Sequence, residues 1–166
     1  MGCDIHAFVD FNKPGEDLCQ CLSEELNFDR DYAVFAKLAG VRNYGEEITP
    51  ISEPRGLPAH VSWSVSSSDN LYVVEKDTND SGTCTREQAE RWVASGISKW
   101  VREGVVSNPD HHSYSWISLS EFERAISELS SIIKYKLSVE YLAVLSAMKT
   151  IAEQGYEVRL VFWFDN

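Results

Sequence analysis

The sequence predicts an α+β protein: a single domain over residues 1–166, built on a small mixed sheet that holds both chain ends and is packed by three to four helices. Three observations carry that expectation. In residues 155–166, GYEVRLVFWFDN, Val158, Leu160, Phe162 and Phe164 alternate with Arg159, Val161, Trp163 and Asp165. Both faces are mostly apolar, the pattern of a strand buried on both sides, so other elements should be laid against it. Residues 2–10, GCDIHAFVD, read as another strand, with Cys3, Ile5, Ala7 and Val9 on one face and Asp4, His6 and Phe8 on the other. Between these strands lie segments of helical period with their own start and stop signals. If the two end strands are neighbours, Asp4, His6 and Asp165 approach one another.

Taken in order, residues 11–28 contain Pro14-Gly15 and many acids and read as a loop with one short helical turn. Residues 29–40 read as a short helix, with Asp29 as N-cap, Val34, Phe35 and Leu38 as its apolar stripe and Gly40 as its stop. Residues 40–62, rich in proline and glycine, exclude a long regular element; an ordered loop of that length is more often functional than not. A serine-rich stretch follows, then a strand in NLYVVEK. Thr85 and Gln88 have capping-box spacing and open a helix with Ala89, Trp92, Val93, Ile97, Trp100 and Val101, ended by Gly104. Residues 107–117 read as a loop. Ser118 and Glu121 form a second capping box before a helix with Phe122, Ile126, Leu129 and Ile133. After a break near 136–138, residues 139–154 form a last helix, with Leu142, Leu145, Met148 and Ile151 as its stripe and Gly155 as its stop.

Composition bounds the function. Hydrophobic residues at 43% and charged residues at 25% are ordinary for a globular chain and exclude disorder over most of the length. A net charge of −11, from 26 acids against 15 bases, argues against a nucleic-acid polymer as partner, because phosphate-backbone binding needs a basic surface. It leaves room for a small anionic ligand held by two or three local arginines. The lone Cys19-x-Cys21 is weak as a metal motif, and Cys3 fits a buried strand as a small hydrophobe. No apolar run approaches the roughly 18 residues of a membrane span, and the N-terminus lacks a signal pattern, so no membrane partner and a cytoplasmic location are expected. Self-association is left open.

Four stretches carry groups fit for chemistry. Asp4, His6, His112 and Asp165 form a mixed nitrogen and oxygen set that suits a divalent metal or acid–base catalysis if the fold gathers them. The structural alternative for His6 is a half-buried imidazole hydrogen-bonded to Asp4, and for His111 and His112 a polar turn. Arg55, in the stiff segment Pro54-Arg55-Gly56-Leu57-Pro58, offers a planar fork for phosphate or carboxylate, and Gly56 lets the backbone approach a partner closely. Its alternative is an ion pair with one of the many acids. Arg42 and Asn43 add a second polar group in the same loop region. Tyr114 and Trp116 are suited to stacking on a base or to filling the core.

These stretches resemble a family of small bacteriophage and prophage proteins that remain uncharacterised. The matching segments are GCDIH at 2–6, RDYAVFAKLAGVRN at 30–43, PISEPRGLP at 50–58, HSYSWISL at 112–119 and VRLVFWFDN at 158–166. Tyr114 stands where the family pattern has a second histidine, which weakens a two-histidine metal site. Set beside the family of small bacteriophage and prophage proteins that the chain resembles, residues 70–106 are expected to be an elaboration of a more variable region. The resemblance implies phage origin and no proven chemistry. Phage accessory proteins of this size often act against host defence, and three functions follow as expectations. The first is sequestration of a small nucleotide-type signal without a cofactor, with Arg42, Asn43, Arg55 and Gly56 around the anion and Tyr114 or Trp116 stacking. The second is a metal-dependent phosphohydrolase using Asp4, His6, His112 and Asp165. The third is an acidic inhibitor that binds a host protein.

Overall fold

The two apolar chain ends satisfy each other. In the computed structural model, which describes residues 2–45, 47–76, 80–132 and 136–165, the element order is β1 (Ile5–Asn12), β2 (Gln20–Cys21), α1 (Tyr32–Ala39), α2 (Trp63–Ser68), β3 (Asn70–Val74), β4 (Thr83–Thr85), α3 (Arg86–Ser95), β5 (Trp100–Arg102), β6 (Val105–Ser107), β7 (His112–Ser118), α4 (Leu119–Ile132), α5 (Val139–Glu153) and β8 (Glu157–Phe164). The fold is α+β. Strand β1 runs antiparallel to β8 along its whole length, from Ile5 opposite Phe164 to Asn12 opposite Glu157. The first sheet has the order β2-β1-β8-β7, every pairing antiparallel. A second sheet, β4-β3-β6-β5, holds the parallel pairing, between β3 and β4. The described part of residues 70–106 supplies this second sheet together with α3; β6 runs one residue further, to Ser107.

Burial follows the alternation. Ile5, Ala7 and Val9 of β1 and Leu160, Phe162 and Phe164 of β8 face α1, α4 and α5 in one apolar core. Phe8, Val161 and Trp163 point the other way, under Val65 of α2 and Leu57 and Val61 of the preceding loop. Strand β8 is therefore covered on both faces, as its composition demands. The second face is tied down by a buried acid: Asp10, 0% exposed, accepts from Ser62 N–H at 2.9 Å and Ser62 Oγ–H at 2.6 Å. Ser62 is in turn the N-cap of α2, accepting from Val65 N–H.

Several sequence expectations need correction. The helix opened by Thr85 does carry its capping box, but it ends at Gly96, which adopts φ 78°, and not at Gly104. Ile97 and Trp100 lie beyond it, and residues 100–107 turn back as the β5–β6 pair. Glycine at a left-handed position is a stop signal that outranks a continuing apolar period. Residues 112–118, read as loop, are strand β7, whose alternation is masked by a bulge between His112 and Ser115. Within residues 11–28, read as a loop with one short helical turn, residues 20–21 form a short strand. Asp31, not Asp29, caps α1. The serine-rich stretch is α2. The α5 stripe is Tyr141, Val144 and Met148, and Leu142 is exposed. The Ser118–Glu121 capping box forms as expected, with Ser118 N–H donating to Glu121 at 2.9 Å and Glu121 N–H donating to Ser118 Oγ at 3.3 Å. Ile133 and Asn166 lie outside the described residues.

Candidate functional site

The neighbouring chain ends bring three of the four expected polar residues together. Asp4 N–H donates to Asp165 Oδ1 at 2.8 Å, and Asp165 N–H donates to the Asp4 carbonyl. His6, one residue pair further in, sits between two carboxylates, with Nδ1 at 2.8 Å from Glu25 and Nε2 at 3.4 Å from Asp165 Oδ2. Burial opposes charge on this imidazole, but Glu25 and Asp165 outweigh it, so its pKa lies above the ordinary value. The Asp4 carboxylate does not turn toward His6. It is held by Arg30, which lowers its pKa.

His112 does not join them. It pairs across from Phe164 and its ring stacks on Phe164, which faces the helices, whereas His6 stacks on Trp163 on the opposite face. The imidazole beside His6 is His111, with ring centroids 4.7 Å apart. Its hydrogen bonds define its tautomer. Asn108 Oδ1 accepts from Asp110 N–H, which orients the Asn108 amide so that its N–H donates to His111 Nε2 at 3.2 Å. His111 Nδ1 therefore carries the proton and donates to Asp69 Oδ1 at 2.9 Å. Tyr114 donates its hydroxyl to the same oxygen at 2.5 Å, and burial, reinforced by that carboxylate, pushes the phenol's pKa well above its usual range.

This arrangement does not fit a metal. Each ring nitrogen of His6 and of His111 already faces a hydrogen-bond partner. Among the described residues no group of three or more His, Cys, Asp or Glu side chains could hold a metal ion. The expected quartet of Asp4, His6, His112 and Asp165 is divided between a salt bridge, a hydrogen-bonded chain and the far side of the sheet.

The arginine expectations resolve similarly. Arg55 forms a bidentate pair with Glu121 at 2.9 and 2.6 Å, donates to the Trp116 carbonyl and lies 5.1 Å from the centre of the Trp116 ring. The guanidinium draws the Glu121 carboxyl down to about 2. Gly56, at φ 77°, donates its N–H to the Tyr114 carbonyl. The proline-rich segment thus seals the open edge of β7, a use for stiff chain that sheet edges require. Arg42 donates to the Gly2 carbonyl and to the Tyr44 hydroxyl, and Asn43 closes its own loop through both N–H and C=O of its amide to Ile48.

Next to the His111–Asp69–Tyr114 chain the surface is concave. A cavity of about 260 Å³ opens where the chain passes from the second sheet back to the first. It is lined by Gly56 and Leu57, by the turn 96–99, and by Asp69, Ser107, His111 and Tyr114. The turn is held against β6, because Lys99 N–H donates to Ser107 Oγ and Ser107 N–H donates to the Lys99 carbonyl. Of the expected ligand residues, Gly56 and Tyr114 line this space; Arg42, Asn43, Arg55 and Trp116 do not. Asp69, Ser98, Lys99 and His111 were not foreseen as binding residues. Asp69 sits at the end of a serine-rich stretch and Ser98 and Lys99 just past a helix stop, positions whose only sequence signal is that loops at element ends carry sites.

Fold and site together define a two-sheet α+β protein with a polar, hydrogen-bonded cavity at the sheet junction. The chain matches no family model, no curated protein and no solved structure. No described helix is long and apolar enough to cross a membrane.

Proposed function

We propose that this protein binds and sequesters a small nucleotide-type ligand in the cavity between its two sheets. The observation that carries the reading is the cavity itself: a concave site with apolar Leu57 and the Tyr114 ring, beside a few polar groups whose positions are set by hydrogen bonds rather than by flexible side chains. Such preorganisation suits tight retention, because little ordering cost is left for binding. On the resemblance to phage and prophage proteins, the ligand is a host nucleotide signal and the protein an anti-defence sponge. Hydrolysis has less support, since the residues expected to carry it do not gather: His112 stacks on Phe164 on the other face of the sheet and the Asp4 carboxylate is held by Arg30.

The test is incubation of the purified protein with a panel of cyclic mononucleotides, cyclic dinucleotides and ADP-ribose products, followed by chromatography. Intact ligand released only on denaturing the protein is the expected result. A chemically altered ligand would replace sequestration by catalysis. Free ligand throughout would remove the small-molecule reading and leave the acidic surface as a protein-binding face.

A further inference from the structure

The hydrogen-bonding groups left open around the cavity specify which nucleotides it takes; this inference rests on the sequestration reading. Asp69 is 5% exposed and lies at the junction of α2 and β3. Its Oδ1 accepts twice, from His111 Nδ1–H and from the Tyr114 hydroxyl, while Oδ2 has no partner among the described residues. A carboxylate oxygen left open beside a cavity can accept a hydrogen bond from a ligand's donor. Ser98, which also lines the cavity, is nine-tenths buried, and its Oγ has no hydrogen-bond partner among the described residues. Beside it Lys99 is exposed and makes no ion pair among the described residues. The cavity lining thus combines an acceptor, a cation with a hydroxyl beside it, and the apolar Leu57 with Tyr114.

We propose that the cavity selects nucleotides whose base carries an exocyclic amine, with Asp69 Oδ2 accepting from the amine and Lys99 with Ser98 Oγ holding the phosphate. An amine meets the carboxylate as a donor meets an acceptor. A base with a carbonyl at that place sets two acceptors against each other. Discrimination by a polar group left unpaired is far stronger than discrimination by apolar fit. Lys99 acts on every nucleotide alike, because a single ammonium reads charge and not the base.

The experiment is calorimetric titration of the intact protein with AMP against IMP and CMP against UMP, pairs that differ at the exocyclic amine. The expected result is that IMP and UMP bind at least about 100-fold more weakly than their amino partners. Asp69→Asn keeps the side-chain shape and can turn an N–H toward the cavity, so the contrast should shrink to under about 3-fold. Lys99→Ala should weaken AMP and CMP by about 10-fold and leave the amino-to-oxo ratio unchanged. Equal binding within each pair overturns the amine selection and leaves sequestration standing. Binding of none of the four overturns the proposal, whatever the wider panel shows, and an empty panel as well removes the reading beneath it. Should Asp69→Asn fail to fold, the wild-type pairs decide alone.

Discussion

The two faces of the first sheet are made by the same strands and closed by different means. On the helix side, Ile5, Ala7, Val9, Leu160, Phe162 and Phe164 meet α1, α4 and α5 through apolar contact. On the other side, Phe8, Val161 and Trp163 share the surface with His6 and Asp10, and what covers them is a six-residue helix and loop segments held by hydrogen bonds to charged groups. The first face stores stability, because buried apolar area contributes without regard to direction. The second positions groups, because each hydrogen bond specifies where its partner stands. The candidate site lies at the rim of the second face.

The contrast can be broken first at its apolar end. Phe162→Ala should cost about 3–5 kcal/mol, since a fully buried aromatic leaves a cavity that its neighbours cannot fill. A urea titration showing a loss under about 1 kcal/mol would mean that β8 is not the centre of the core. Next comes the anchor of the other face. Asp10→Ala should cost about 2–3 kcal/mol, because Ser62 N–H and Oγ–H lose a charged acceptor in a buried setting. If it costs no more than the roughly 1 kcal/mol of removing the cap alone by Ser62→Ala, Asp10 does not anchor α2.

The edge seal comes third. Arg55→Ala should lose about 1–3 kcal/mol at neutral pH, as hydrogen bonds to a charged partner do. Glu121 is depressed from 4.5 to about 2 in the folded protein, so its contribution is present above pH 4.5 and fades as pH falls toward 2. The difference between wild type and Arg55→Ala should therefore narrow in acid, and a constant difference across that range would exclude the pair. Smaller still is the effect at His6. Its pKa is raised, so its stabilisation is full below pH 6.5 and is lost as pH rises through the folded value. The His6→Gln variant should lack that alkaline decline in thermal midpoint; a decline of equal size in both proteins would assign it elsewhere. Arg30→Ala should leave the midpoint where it is, because this surface pair is screened by water on both partners.

Both faces of β1 and β8 can be read in the chain, because a strand's period of two writes burial directly into residue order. Helix caps at Thr85 and Ser118 are equally legible, since the capping residues are three positions apart. The β7 strand was hidden for a local reason: its bulge breaks the alternation, and Ser113 takes a left-handed φ of 53° inside it. The end of the helix at Gly96 is masked by Ile97 and Trp100, whose spacing prolongs the helical period past the true stop.

The site divides along the same line. Residue order by itself determined that Asp4, His6 and Asp165 would meet if the end strands paired, because strand faces and a short list of pairings leave few choices. It also placed a stiff arginine-bearing segment somewhere at the surface. Tertiary structure alone decided that His111 and not His112 stands beside His6, since one residue of register turns a side chain to the opposite face. It alone decided that Arg55 is spent on Glu121, 66 residues away, and that Asp69, Ser98 and Lys99 meet around one cavity. Contacts between residues so far apart in the chain depend on how two sheets are laid together, and no local period or spacing encodes that.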